Sequence, residues 1–228
     1  MRRRDFISLL GSTLAAWPLT VHGQQSEKPR LIGVLLPVPK DDPEYQPFVT
    51  AFRQALQELG WFDGRNVRID IRWAPHIADL RIHAAELATL VPDVILAHGV
   101  SAVGPLLQTT RTVPIVFPAA ADPVGAGFVD SLARPGGNAT GFMAFEYSLG
   151  GKWPELLKQI APGMTRVAVL GDPTIPTGPA LFATIQAIGP SLRVEVSSIN
   201  KHDAGEIERG IAAFARSPNG GLIVTPGP

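Results

Sequence analysis

Cysteine is absent from the 228 residues of the sequence. Its absence excludes a disulfide-stabilised scaffold, thiolate metal sites and a cysteine nucleophile. An excess of one charge is absent too, because 20 basic residues balance 20 acidic ones. This balance, with no basic stripe along the chain, argues against nucleic acid as a partner. The hydrophobic share of 45% and the charged share of 18% are ordinary for a globular protein of one large domain or two small ones.

Familiar cofactor and catalytic motifs are also missing. The turn Leu36–Pro39 follows the first predicted strand where a dinucleotide-binding protein would have G-x-G-x-x-G. The segment Gly150–Lys152 lacks the first glycine and the final Ser or Thr of a phosphate loop, and Gly99–Val103 lacks the second glycine of a nucleophile elbow. The five histidines show no metal-ligand spacing. We therefore predict no catalytic residue, no metal site and no cofactor.

The first 23 residues read as a targeting segment. Three arginines precede an uncharged run, Ile7–Val21, and the segment Arg3–Ile7 resembles a twin-arginine export signal. The alternative is a membrane anchor, but the uncharged run is shorter than the roughly 20 residues that a span needs, and Pro18 interrupts it. We predict a signal peptide over residues 1–23, cleaved near Gly23, and a mature protein in the periplasm.

The rest of the chain alternates short apolar runs with amphipathic segments. The predicted strands are Arg30–Leu36, Val67–Trp73, Val94–Ala97, Ile115–Phe117, Arg166–Leu170, Val194–Ile199 and Gly221–Val224. The predicted helices are Phe48–Leu59, Asp79–Leu90, Ser101–Thr110, Tyr147–Ile160, Ala180–Ile188 and Ala204–Ala215. Strands and helices in alternation, with short connections, predict an α/β fold with parallel sheets and helices on both faces.

A turn cluster at Arg134–Asn138 separates two halves of similar rhythm. We therefore expect an N-terminal lobe over residues 30–137 and a C-terminal lobe over residues 138–228, with Gly141–Phe145 as a strand that crosses between them. The last predicted strand is followed by residues 225–228 with no covering helix, so the second lobe is expected to be partial and to leave an apolar face open.

Ligands of parallel sheets bind beyond the carboxyl ends of the strands. That rule selects Pro37–Tyr45, His98–Ser101 and Ala120–Pro123 as the first lobe's contribution to a cleft. From the strand ends we choose Ser101 and Asp122 of the first lobe, and Asp172 and Thr225 of the second, as candidate ligand-binding residues. Ser101 stands near a helix start, where it can cap the helix, help to hold an anion, or do both. Asp122 and Asp172 both precede proline, so turn formation competes with acid–base chemistry and with binding of a ligand's ammonium group.

Three aromatic residues stand near the predicted crossing strand. They are Phe142, Phe145 and Tyr147. Each can stack on a planar ligand, and packing in the core is the alternative that we favour for any one of them.

Several segments together resemble one protein family. They are Arg3–Phe6, Ala51–Trp61, Ala121–Gly125, Arg134–Gly141 and Gly150–Trp153. They are similar to ABC transporter substrate-binding proteins of the type that binds tryptophan and other aromatic amino acids. The resemblance implies a type I periplasmic binding fold with two Rossmann-like lobes, a hinge and a ligand closed between them. It also implies an amino-acid-like small molecule and a membrane permease as partners, and we expect a monomer.

The resemblance favours a non-enzymatic solute-binding protein over two alternatives. One alternative is a Rossmann-type metabolic enzyme that uses Asp122 or Asp172 as a base. The other is a truncated remnant that binds nothing, because the resemblance implies three hinge crossings and this sequence contains the first, near residues 138–142. Retention of an unmodified small molecule would favour the binding protein.

Overall fold

The computed structural model describes residues 28–175, 177–201 and 203–226. The predicted signal peptide, residues 1–23, lies outside the described residues, so export and cleavage stay predictions. Within the described ranges, no helix is long and apolar enough to cross a membrane.

The first sheet is built from five parallel strands in the order β2-β1-β3-β4-β5. The strands are β1 (Arg30–Leu36), β2 (Val67–Trp73), β3 (Val94–Ala97), β4 (Ile115–Ala121) and β5 (Ala139–Phe145). The helices between them are α1 (Tyr45–Glu58), α2 (Ile77–Thr89) and α3 (Gly99–Thr109). The strand β2, whose apolar and polar residues alternate, lies at the edge of the sheet as that alternation indicates.

The two faces of the first sheet are covered by different helices. Residues Ile95, Ile115 and Phe117 belong to the core under α2 and α3 and are buried. On the opposite face, Val34 and Leu36 pack with side chains of α1. Because β1 contributes to both faces, its unbroken apolar sequence is the one that a central strand of a parallel sheet requires.

Helix α1 begins earlier than its apolar stripe suggests. The sequence predicts a start at Phe48, after a proline-rich loop, whereas the structure starts the helix at Tyr45. Pro47 therefore lies in the first helical turn, where a backbone N–H has no partner within the helix and proline is tolerated.

Strand β5 extends the first sheet past the lobe boundary expected at residue 138. It pairs in parallel with β4, with Ile115 opposite Ala139 and Val116 opposite Thr140. Gly141 permits this pairing, since a Cβ at that position would lie 2.0 Å from the carbonyl oxygen of Phe117. The first sheet thus ends at residue 145, and the division of the chain into two lobes at residue 138 stays a prediction.

The second sheet has three parallel strands in the order β7-β6-β8. They are β6 (Arg166–Gly171), β7 (Glu195–Asn200) and β8 (Gly220–Val224). A 3-10 helix, Tyr147–Gly151, runs directly into α4 (Lys152–Ile160), and the remaining helices are α5 (Thr177–Leu192) and α6 (Ala204–Ala215). Helices α4 and α5 pack on one face of the sheet and α6 on the other.

Strand β8 lies at an edge of the second sheet and carries two exposed apolar residues. Leu222 is 39% exposed and Val224 is 59% exposed, whereas Ile223 between them is buried. The two exposed side chains share one face of the strand, since side chains alternate along it.

Candidate ligand-binding site

The carboxyl edge of the first sheet places Ser101 in the first turn of α3. The backbone N–H of His98 donates to the carbonyl oxygen of Leu35 over 3.1 Å, and Gly99 then turns the chain into the helix with a φ of +74°. Ser101 is the third residue of α3, and it is buried. Among the described residues, its Oγ has no hydrogen-bond partner. Capping is therefore not what this hydroxyl does in the structure.

Asp122 follows β4 directly and binds two backbone N–H groups. Its Oδ1 accepts from Gly125 over 2.7 Å, and its Oδ2 accepts from Tyr147 over 3.2 Å. The first bond closes the local turn that the Asp-Pro pair suggested. The second reaches a residue 25 positions later, in the connection toward the second sheet.

The carboxyl edge of the second sheet contains a cavity of about 200 Å³. Its lining combines the polar residues Asp172, Ser198, Asn200 and Thr225 with the apolar residues Pro179 and Phe182. Strands β6, β7 and β8 all contribute to this edge, because their carboxyl ends point the same way. The cavity thus offers a carboxylate, neutral hydrogen-bonding groups and an aromatic ring within a small volume.

Asp172 and Thr225 are held at this cavity by hydrogen bonds, one set within a local turn and the other between β6 and the residue after β8. Oδ1 of Asp172 accepts from the backbone N–H of Thr174 over 2.8 Å and from its hydroxyl over 2.6 Å. The buried Thr225 hydroxyl donates to the carbonyl oxygen of Leu170 over 3.1 Å. Its oxygen keeps lone pairs with which it can accept a bond from a ligand.

The structure brings the predicted residues together in part. Asp172 and Thr225 line one cavity, as the carboxyl-end rule predicts, whereas the lining residues of this cavity do not include Ser101 or Asp122. In the described part of the chain, no three His, Cys, Asp or Glu side chains come together as metal ligands would. The assignment of the four predicted residues as ligand contacts stays a prediction.

A second pocket, of about 410 Å³, lies beside α1. Phe48 and Pro118 contribute to its largely apolar lining, and Tyr45 and His98 supply the polar groups. Burial raises the pKa of Tyr45, with the nearby carboxylates of Asp42 and Glu44 adding to the rise, and burial lowers the pKa of His98. The carboxyl-end rule selects Tyr45 and His98 within its cleft segments, but it does not select Phe48 or Pro118, which lie outside those segments.

The aromatic residues near β5 divide between core and surface. Phe145 and Tyr147 pack against the core of the first sheet, which is the alternative that we favoured. Phe142 is 73% exposed on β5. Burial raises the pKa of Tyr147, and the carboxylate of Asp122 adds to the rise.

Comparison with known proteins identifies the family. Residues 32–216 match the family model for ABC transporter substrate binding proteins. The chain belongs to this family. A curated relative, the tyrosine-binding protein of Clostridioides difficile strain R20291, is 30% identical over 146 residues, which make up 64% of this chain and 41% of the relative.

Solved structures show the same fold. An ABC domain in complex with L-Trp, from Streptococcus pneumonia, superposes with a TM-score of 0.71 at 21% identity, over 87% of this chain and 65% of that one. A ligand-free, open substrate binding protein with adhesive properties, from Clostridium difficile, gives a TM-score of 0.53 at 26% identity, over 81% of this chain and 62% of that one. This chain therefore spans less than two thirds of the length of each of these relatives.

These similarities confirm the predicted membership of the ABC transporter substrate-binding proteins and the α/β fold with parallel sheets of type I periplasmic binding proteins. Members of the family are solute-binding proteins of transporters, and substrate-binding proteins of ABC importers are in general extracytoplasmic. The family thus favours a binding protein over the metabolic enzyme that we considered as an alternative.

Proposed function

We propose that this protein is the exported solute-binding component of an ABC importer and that its ligand is an amino acid, preferably an aromatic one. The observation that carries the proposal is the cavity at the carboxyl edge of the second sheet, where Asp172 lies with Phe182 and Thr225. A carboxylate suits a ligand's ammonium group, and an aromatic ring suits a planar apolar side chain. The tyrosine and L-Trp named for two relatives support the same ligand class.

The first lobe supplies the complementary charge. The N–H groups in the first turn of α3 favour an anion, and the unpartnered hydroxyl of Ser101 lies in that turn. A ligand carboxylate at this helix start and a ligand ammonium group at Asp172 would engage both lobes at once. The prediction that Asp122 also contacts the ligand stays untested.

Ligand binding then acts by shifting a population. A ligand that touches both lobes binds the closed arrangement of the lobes more tightly than the open one and so increases its population. A membrane permease then recognises the closed protein. The twin-arginine leader would deliver the protein to the periplasm as a monomer, with cleavage near Gly23. The family supports the permease as partner.

The pocket beside α1 is the competing location for the ligand. Its polar lining groups are the phenol of Tyr45 and the imidazole of His98, which burial keeps neutral to lower pH. Neither offers the fixed negative charge that an ammonium group requires, whereas Asp172 does. We therefore place the amino acid at the second sheet.

Calorimetric titration with L-tyrosine, L-tryptophan, L-phenylalanine and L-leucine tests the proposal. We expect at least one aromatic amino acid to bind, and Asp172→Asn to weaken that binding about tenfold or more, because a hydrogen bond to a charged group is lost. The control Asp203→Ala removes a helix cap elsewhere in the second lobe, where Oδ1 accepts from the N–H of Glu206 over 2.8 Å. This control should leave the affinity unchanged.

Two results would overturn the proposal. Absence of binding or of a melting shift with every amino acid tested would favour the reading that this chain binds nothing. Loss of binding in Phe48→Ala, together with full affinity in Asp172→Asn, would move the ligand to the pocket beside α1.

A further inference from the structure

We propose that Asp122 is a positioning residue: its carboxylate fastens the connection between the lobes to the first sheet and so sets where the hinge can bend. The inference rests on the two-lobed closure proposed above. It concerns the protein without ligand, so it can fail or succeed independently of the ligand assignment.

The first step is that Asp122 ties β4 to the chain that leaves β5. Its backbone N–H donates to the carbonyl oxygen of Phe145 over 2.8 Å, and its Oδ2 accepts the N–H of Tyr147 over 3.2 Å. The main chain and the side chain of one residue therefore hold two positions of the departing segment. A hydrogen bond to a carboxylate is stronger than one between neutral groups.

The second step is that the surrounding turn is built to hold this carboxylate. Asp122 has a φ of +39°, a left-handed conformation that aspartate tolerates better than most residues. Oδ1 accepts the N–H of Gly125 over 2.7 Å, and a Cβ on Gly125 would lie 2.7 Å from the carboxylate. The glycine thus leaves the space in which the carboxylate sits.

The third step is the position of Tyr147 in the chain. It is the first residue of the 3-10 helix that continues into α4, and the N–H groups of a first helical turn have no acceptor within the helix. Asp122 supplies an acceptor, and its negative charge is favourable at a helix N-terminus. A residue of the first sheet therefore caps a helical run that packs in the second lobe.

The fourth step locates the bend. The side chain of Tyr147 packs on the core of the first sheet. Only a few residues later, Gly150 and Gly151 are buried against α5, where added Cβ atoms would lie 3.2 Å from Leu181 and Ile188. The chain changes lobes between these anchors, so bending is confined to Ser148 and Leu149, both of which are exposed.

Distance measurements between the lobes test this role. The sequence contains no cysteine, so Thr50→Cys in α1 and Gln186→Cys in α5, both at exposed positions, accept spin labels at single positions. With no ligand present, we expect Asp122→Ala to broaden the distance distribution, since the hinge gains freedom. Gly125→Ala should have the same effect by displacing the carboxylate. The control Asp203→Ala removes a cap within one lobe and should keep the parent distribution.

Hydrogen exchange supplies a second readout in the milder variant Asp122→Asn. Asparagine keeps one acceptor oxygen, so we expect the amide of Gly125 or of Tyr147, whichever loses its acceptor, to exchange about fivefold faster, as for loss of a helix cap. Strands β1 and β3 should stay as protected as in the parent. The proposal is wrong if Asp122→Ala keeps the parent distance distribution, or if Asp203→Ala broadens it equally. Unchanged exchange at both Gly125 and Tyr147 in Asp122→Asn would also overturn it.

Discussion

The phenol oxygen of Tyr45 lies 3.2 Å from Nδ1 of His98 and links the start of α1 to the carboxyl end of β3. The two rings also meet edge to face, with centroids 5.0 Å apart and planes at 75°. Burial disfavours the charged form of each ring, so it raises the pKa of Tyr45 and lowers the pKa of His98. A neutral pair therefore joins a helix to the sheet at the edge where ligands bind.

Stability should fall in mildly acidic solution because of His98. Folding lowers its pKa below the usual 6.5, so the unfolded chain takes up the proton at higher pH than the folded protein. The stability that neutral His98 contributes is complete above pH 6.5 and is lost as the pH falls from there through the lower folded-state pKa. We expect His98→Gln to flatten the dependence of Tm on pH between about pH 8 and pH 5. The exposed His76→Gln is the control, and equal pH profiles for parent and His98→Gln would contradict the prediction.

Removing the hydroxyl of Tyr45 should destabilise the protein by about 1 kcal/mol, the usual net contribution of such a hydrogen bond. Tyr45→Phe keeps the edge-to-face contact and deletes the oxygen that meets His98. Urea unfolding measures the change. Tyr147→Phe is the matched control, since Tyr147 bonds to Asp122 through its backbone N–H, which the substitution keeps. A larger loss in the control than in Tyr45→Phe would rule out the assigned contribution.

The sequence predicts the strands better than the contacts between them. The unbroken apolar run of β1 identifies a buried strand, and the carboxyl-end rule brings Asp172 and Thr225 to one cavity with no knowledge of side-chain packing. The link between Tyr45 and His98 joins residues 53 positions apart and exists because β1 and β3 are neighbours, which periodicity does not reveal. The pairing of β5 with β4 was missed for the same reason, because local sequence specifies a strand and not its partner.

Gly178→Ala should damage both stability and ligand binding. A Cβ at Gly178 would lie 1.9 Å from the carbonyl oxygen of Asp172, so the backbone that carries the cavity's carboxylate must shift. Overpacking of this kind costs about 1–3 kcal/mol, which urea unfolding measures. Calorimetry with the best-bound aromatic amino acid should show weaker binding. Gly163→Ala in the same lobe meets no atom within 4 Å and serves as control; identical behaviour of the two variants would exclude the steric argument.

Arg166→Lys should destabilise the second lobe although it keeps the charge. Arg166 donates to the carbonyl oxygens of Phe214 over 3.0 Å and Ser217 over 2.8 Å, and its guanidinium lies 4.4 Å from the ring centroid of Phe214. One nitrogen, Nη2, donates both bonds while the planar guanidinium lies over the ring, and lysine lacks that plane. We expect a loss of about 1–2 kcal/mol in urea unfolding. Arg216→Lys, at an exposed position nearby, should be neutral, and a neutral Arg166→Lys would show that the guanidinium contributes nothing beyond its charge.

Ser101→Ala should separate stability from binding. The Ser101 hydroxyl is buried and has no partner among the described residues, so its removal relieves an unsatisfied polar atom. We expect Ser101→Ala to leave the ligand-free protein unchanged or to stabilise it by up to about 1 kcal/mol, while it weakens binding of an aromatic amino acid.

The buried hydroxyl of Thr110 is the matched contrast to Ser101. It accepts from the backbone N–H groups of Thr112 over 3.3 Å and Val113 over 3.2 Å. Thr110→Val should therefore destabilise by about 1–3 kcal/mol, because two donors lose their acceptor, and the folded fraction should bind with parent affinity. If Ser101→Ala destabilised as much as Thr110→Val and bound ligand as well as the parent, the serine would be a structural residue and the ligand carboxylate would have to bind elsewhere. A binding residue can carry a hydroxyl that does not stabilise the ligand-free protein, because selection for function tolerates a local loss of stability.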